Sequence, residues 1–306
     1  MSDFILSASS TVDIPREVLE KENIKWIGFP FQIDDVDYID DLGLTVKLND
    51  FYQKLNDGAI ARTSQITYIK YIEYFEKLLE EDKDILHVTL SSGLTGGVQQ
   101  AYMAQEKLEE KYPDRKIYIL DSLTATSCEG LFVLGLNEMR KEGFSIEEVY
   151  NWGMENRYKV NSIFFTSDLT YLVRGGRVSK AAGSFGNLLN ICPIMDTNTK
   201  GEIVVRDKIR TKKKAMKALV NKISDRLIRD FPYKNEIYIV HAYAPEDAED
   251  LRERLLDELD DYSGEIKIYE IGTTVGSHVG PGLVGAGFWG KKKMNKDSRL
   301  CGFLFL

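Results

Sequence analysis

Short apolar runs rich in β-branched residues alternate along the chain with longer segments whose apolar positions recur at helical spacing. This is the pattern of α/β units built on mainly parallel sheets. Phe4 to Leu6 reads as a short first strand, Ile24 to Ile33 as extended chain, and Leu48 to Gly58 as a helix with Leu48, Phe51, Tyr52 and Leu55 on one face. Ile66 to Glu81 predicts a helix, and DILHVTL (Asp84 to Leu90) predicts a buried strand running straight into SSGLTGG. A helix over Gln99 to Tyr112 stops at Pro113; a strand follows over Lys116 to Leu120, then a helix over Ala125 to Gly143 closed by glycine.

The pattern then restarts. Ser145 to Tyr158 opens with SIEE, a capping-box sequence, and Asn161 to Thr166 reads as a strand. Lys180 to Leu189 is expected to be helical, Cys192 to Met195 and Glu202 to Arg206 to be strands around a turn, and Lys212 to Asp230 to be a long helix. Ile237 to Ala242 is a strand, Pro245 to Asp261 an acidic helix, and Ile266 to Ile271 is expected as the last strand, before a glycine-rich end. The restart divides the chain into α/β domains over residues 1–159 and 160–290, with 291–306 left as a flexible tail.

Composition narrows the class. With 306 residues, 43% hydrophobic and 29% charged, the chain is long enough for two cores. Forty basic against forty-eight acidic side chains give a formal charge of −8, which argues against a general nucleic-acid-binding surface. No run approaches the roughly 18 apolar residues of a membrane span, and MSDFILSASST lacks the features of a signal peptide. The expected location is cytoplasmic, peripheral to a membrane at most. Three scattered cysteines in no C-x-x-C pair and only three histidines speak against a disulfide framework or a bound metal.

Five segments carry candidate chemistry. Ser91, Ser92 and Gly93 open the SSGLTGG loop between a strand and a helix, where hydroxyls and backbone N–H groups face the carboxyl edge of a sheet and suit an anion. As an alternative, the same stretch is an N-capping turn. Thr63 and Ser64 offer a second hydroxyl pair before a helix; together the two sets suit a carboxylate held by uncharged donors. Arg177 follows a glycine pair in YLVRGGRVS, in position to reach an oxyanion, or simply sits in a solvated turn. Arg210 stands in the basic run RDKIRTKKK, either a solvated helix face or a landing patch for a phosphate or an acidic partner. His278 lies in the glycine-rich HVGPGLVG, whereas His87 and His241 fall within or at the end of strands and read as core. Ser92 with His278 raises serine esterase or hydrolase chemistry, although no G-x-S-x-G elbow is present. A DNA-binding or nucleotide-dependent regulator built around RTKKK is a more distant reading.

In this order, TSQ at Thr63 to Gln65, SSGLTGGVQQA from Ser91, DS at Asp121-Ser122, YLVRGGRVS from Tyr171, RTKKKA from Arg210 and HVGPGLVG from His278 resemble the DegV family over about residues 3 to 290. The resemblance implies a two-domain α/β fold that binds fatty acids, in the manner of the FakB carrier subunits of bacterial fatty acid kinase. On that likeness the acyl chain is buried in the N-terminal lobe, and Thr63 and Ser92, with Ser64, Ser91, Gly93 and His278 beside them, hold the carboxylate. Arg177, Arg210 and His278 match positions implicated in engaging the kinase or its phosphate. The implied partners are a long-chain fatty acid, a FakA-like kinase subunit carrying ATP and Mg, an acyl-phosphate acceptor enzyme and, transiently, a membrane surface. No cofactor is implied on this chain. Phe29, Phe31, Phe164, Phe165 and Phe185 are candidates for the tunnel wall or for ordinary core. One departure stands out: where the family has T-D-S-T-A-D-L-P, this chain reads A-S-S-T-V-D-I-P, with Ser9 replacing the first acid.

Overall fold

A computed structural model describes residues 4–178 and 191–295. Strands β1 (Phe4–Ser9), β2 (Lys25–Ile27), β6 (Asp84–Thr89) and β7 (Ile117–Asp121) form a parallel sheet in the order β2-β1-β6-β7. Alternation along β6 sends Ile85 to one face and Leu86 and Val88 to the other. The first face packs under α3 (Tyr68–Leu79) and α4 (Gly97–Lys111), with Tyr71, Phe75, Ala101 and Ala104 in the same apolar layer. The second packs on α5 (Ser127–Glu142) and α6 (Ile146–Asn156).

The helix ends follow their sequences. Ser145 Oγ accepts from the Glu148 backbone while the Glu148 carboxylate accepts from Ser145 N at 2.8 Å, so the predicted capping box is present. Gly143 ends α5 at φ +95°, where a side chain would be strained. A small antiparallel sheet, β4-β3-β5, joins β3 (Pro30–Ile33), β4 (Val36–Ile39) and β5 (Ala61–Thr63); α1 (Arg16–Lys21) and α2 (Leu48–Asn56) flank these segments in the chain.

From residue 160 onward the strands among the described residues enter one six-stranded sheet of order β10-β9-β8-β13-β11-β12. Its members are β8 (Val160–Phe165), β9 (Ile191–Thr197), β10 (Ile203–Arg210), β11 (Ile237–His241), β12 (Ile266–Glu270) and β13 (Val284–Trp289). Helices α7 (Thr170–Arg174), α8 (Lys212–Arg226), α9 (Pro245–Glu258) and α10 (Thr273–Val279) connect them. The fold is therefore the expected two-sheet α/β arrangement, with one correction. Only β11 and β12 pair in parallel; the other four neighbouring pairs are antiparallel. Two of these come from β13, which follows the strand expected to be last and inserts between β8 and β11, antiparallel to both; the other two come from β9, which runs antiparallel to β8 and to β10.

Helix α5 lies between the two large sheets. Its Leu131, Phe132 and Leu136 share one core with Leu86 and Val88 of the first sheet and Tyr238 and Trp289 of the second. A Cβ on Gly287 of β13 would sit 2.3 Å from Cys128 Sγ, so the helix rests directly on that strand. The first residues of the expected tail are held: Lys293 is buried with Nζ donating to Leu123 O at 2.6 Å, and Arg206 donates to the carbonyls of Met294 and Asn295. The expected helix over Lys180 to Leu189, and Phe185 within it, lie outside the described residues, as does 296–306. Among the described residues no helix is long and apolar enough to cross a membrane.

Candidate functional site

The two hydroxyl loops meet at a cavity of about 530 Å³ beyond the carboxyl ends of β1 and β6. Thr63, Ser64, Ser92, Gly93, Arg177 and His278 all line it. Thr63 ends β5, Ser92 and Gly93 follow β6, Arg177 follows α7, and His278 belongs to the last turn of α10. Phe29 and Leu90, on its wall, belong to the apolar layer under α3 and α4, so the polar rim passes directly into the core.

The SSGLTGG loop is not built like a P-loop. The backbone N–H of Ser92 donates to Asp121 Oδ1 at 3.1 Å, that of Gly93 to Ser91 Oγ at 3.1 Å, those of Leu94 and Thr95 to Ser91 O, and that of Gly97 to Thr95 Oγ1. These amides are spent on the loop itself and on Asp121, which leaves the hydroxyls of Ser92 and Thr95, both on the cavity wall, as donors for a ligand. Asp121, from the DS pair, also accepts from Leu123 N and thereby fixes the loop to the end of β7.

Two of the expected residues, Ser91 and Arg210, are not among those that line the cavity. Ser91 is fully buried and donates to Gly201 O at 2.9 Å, latching the turn between β9 and β10 onto the loop; it does not line the cavity. Gly93 serves the same close approach, since a Cβ there would lie 2.5 Å from Lys200 O. Arg210 is exposed at the end of β10 and also lies outside the cavity lining. Its basic run is partly internal: Arg206 and Arg226 clamp the buried Asp196 at 2.7 and 2.8 Å, and Lys212 pairs with Asp247 at 2.5 Å.

His278 Nε2 is 2.7 Å from Thr63 Oγ1. Burial, reinforced by the charge of Arg177, pushes its pKa down to about 4, so the ring is neutral near pH 7. On the opposite side the ring packs on Gly175, where a Cβ would meet Nδ1 at 2.5 Å. Arg177 Nε donates to Leu94 O at 3.1 Å and its Nη1 to Gly175 O, tying the α7 turn to the SSGLTGG loop. The hydrogen bond of His278 goes to Thr63 rather than Ser92, so the described contacts do not form a serine–histidine dyad.

Residue type alone did not single out Gln65, Thr274 and Val275, which also line the cavity. Thr274 is positioned by Asp40, whose Oδ2 accepts from its N–H at 3.2 Å and its hydroxyl at 2.5 Å. Of the other histidines, His87 is fully buried beside Ser7 and Tyr74, and His241 Nδ1 accepts from Ala244 N at 3.3 Å. Phe29 alone of the described candidate phenylalanines lines this cavity; Phe31, Phe164 and Phe165 are core.

The replaced acid has a local explanation. Ser9 Oγ donates to Glu129 Oε1 at 3.1 Å and Thr11 Oγ1 to Glu129 Oε2 at 2.8 Å, all three residues being buried. Burial pushes the Glu129 pKa up to about 8 despite these bonds. A second carboxylate at position 9 would stand against the first.

Known proteins resemble this chain in sequence and in fold. Residues 6–291 match the family model described as "Uncharacterised protein, DegV family". The DegV domain-containing protein CPE0026 of Clostridium perfringens is 34% identical over 96% of this chain and 99% of its own. Among solved structures, a DegV lipid binding protein from Thermotoga maritima is 29% identical with a TM-score of 0.79, covering 96% of this chain and 100% of that one. A fatty acid binding DegV family protein from Streptococcus agalactiae is 25% identical with a TM-score of 0.81, covering 95% and 100%. With a match that runs almost from end to end, the chain belongs to the DegV family.

Proposed function

We propose that this protein is a fatty acid carrier that buries a long acyl chain and presents its carboxylate to a separate ATP-dependent kinase for acyl-phosphate formation. The observation that carries the reading is the convergence of Thr63, Ser64, Ser92 and a neutral His278 at the mouth of a cavity whose wall runs into apolar core. On this reading residues 1–159 hold the lipid and 160–290 supply Arg177 and His278.

Burying methylenes at roughly 0.8 kcal/mol each stabilises a long-chain complex by about 10 kcal/mol before ordering costs. Affinity then comes from the chain, and the head group is free for chemistry. Neutral hydroxyl donors orient the carboxylate without the charge neutralisation of a bidentate arginine clamp, leaving an oxygen nucleophilic towards a γ-phosphate. Arg177, beside His278 on the same rim, would offset charge as the phosphoryl group transfers. ATP and Mg belong to the kinase partner, the product passes to an acyl-phosphate acceptor enzyme, and loading takes place in transient contact with a membrane. Arg210, exposed and away from the cavity, fits contact with the kinase rather than with the ligand.

The test is native mass spectrometry of the purified protein, followed by organic extraction of whatever accompanies it. A stoichiometric long-chain fatty acid supports the carrier reading. An empty protein that also fails to take up added fatty acid overturns it.

A further inference from the structure

A separate cavity of about 300 Å³ is lined by Asp13, Asp40 and Glu270, with Ile14, Leu42 and Tyr269 among its other walls. Its lining residues include no lysine, arginine or histidine. Asp13 and Asp40 are 7% and 2% exposed. The Asp40 carboxylate is satisfied, accepting from Leu42 N and from the N–H and hydroxyl of Thr274. That of Asp13 is not: both its oxygens are buried without a well-formed hydrogen bond, beyond an approach of the Gly272 backbone N–H. An unpaired buried carboxyl costs stability, and burial together with the charge of Asp40 holds the Asp13 pKa well above its ordinary range. Glu270, half-buried on the same wall, has a raised pKa for the same first reason.

We propose that this second cavity binds a small organic cation, a primary ammonium carried on a short carbon skeleton. Three acidic side chains with no basic one call for a positive charge, and the orphaned Asp13 oxygens call for N–H donors. The apolar walls favour a carbon-bearing cation over a bare ion, and among the described residues no acidic, histidine or cysteine cluster is suited to a metal. The volume falls at the lower end of small-molecule sites. Asp40 reaches through Thr274 to the first turn of α10, the helix that carries His278, so an occupant here would brace the helix at the edge of the carboxylate cavity.

The proposal is independent of the fatty acid reading and is tested on the full chain without lipid. Methylammonium to butylammonium chlorides are titrated calorimetrically, with sodium chloride at equal ionic strength as control. The expected result is saturable binding of an alkylammonium, absent with sodium and weakened about tenfold or more in Asp13→Asn and in Glu270→Gln. Glu270→Gln, at a half-buried position, keeps the test valid if the buried substitution fails to fold. No saturable binding, equal heat from sodium, or unchanged affinity in Glu270→Gln overturns the proposal.

Discussion

Thr63 Oγ1 and His278 Nε2 stand 2.7 Å apart, linking the end of β5 to the last turn of α10 across the rim of the carboxylate cavity. The histidine thus orients a hydroxyl assigned here to the ligand. Replacing Thr63 by Val together with Ser92 by Ala is expected to weaken fatty acid retention about tenfold or more, through loss of two hydrogen bonds to a charged group. Displacement of a fluorescent fatty acid measures it. Unchanged affinity would remove these hydroxyls from the head-group role.

His278→Ala is expected to spare lipid binding and to slow acyl-phosphate formation with the kinase partner about tenfold or more. A pKa near 4 also means that the ring does not titrate near neutrality, so its charge adds no pH dependence to binding between about pH 6 and 8. Loss of bound lipid from the variant would instead make this histidine a ligand contact.

Ser9→Asp sets a second carboxyl against Glu129 and is expected to cost about 2 kcal/mol or more at neutral pH, with recovery when Glu129→Gln is added. Glu129 alone has its own signature. Its folded pKa is raised from 4.5 to about 8, so its contribution is present below the lower value and is lost as pH rises through the higher one. Urea unfolding of Glu129→Gln at pH 6 and 9 should therefore show a smaller alkaline loss than the parent protein. An identical loss in both would mean that Glu129 is ionised in the folded state.

The histidines act in the opposite direction. His87 and His278 have folded pKa values pushed down by burial to about 3 and about 4. The unfolded chain takes up protons below its ordinary value of about 6.5 while the folded chain does not, so stability is retained above that value and falls as pH drops towards 4. Between about pH 7 and 5 this loss is set against the opposite contribution of Glu129, so the test is the difference between two proteins: from pH 7 to 5 the urea midpoint of His87→Leu should change more favourably than that of the parent. An identical change in both would contradict a neutral buried His87.

Most of the first half was legible because its elements obey local rules. Apolar alternation marks β6 and β7, glycine closes α5, and serine with glutamate opens α6. The missed elements are those whose sequences answer to tertiary contacts. VGAGFW does not read as a strand because Gly285 is pressed on Phe164 and Gly287 on Cys128, contacts that only the folded chain supplies. TTVGSHV is a poor helix former by composition, yet α10 forms with Asp40 holding Thr274 at its first turn. Missing β13 hid two of the four antiparallel pairings of the second sheet. At the site, hydroxyl pairs, Arg177 and His278 were legible as chemistry. The burial of Ser91 was not legible because a buried latch and an exposed donor are the same residue type in adjacent positions, and the pairing of Arg206 and Lys212 was not because a charge run does not reveal which of its side chains meet a carboxylate.

Helix α5 has a consequence for how the molecule comes apart. It is buried along almost its whole length and packs against strands of both large sheets. Neither half can keep its core once the other unravels, because each would expose the apolar face of that helix to water. The chain should therefore melt in a single cooperative transition, and the halves expressed separately should not fold. Motion between the two lobes is limited to what a shared helix permits, which favours opening of the rim loops over hinge bending as the route by which a ligand enters.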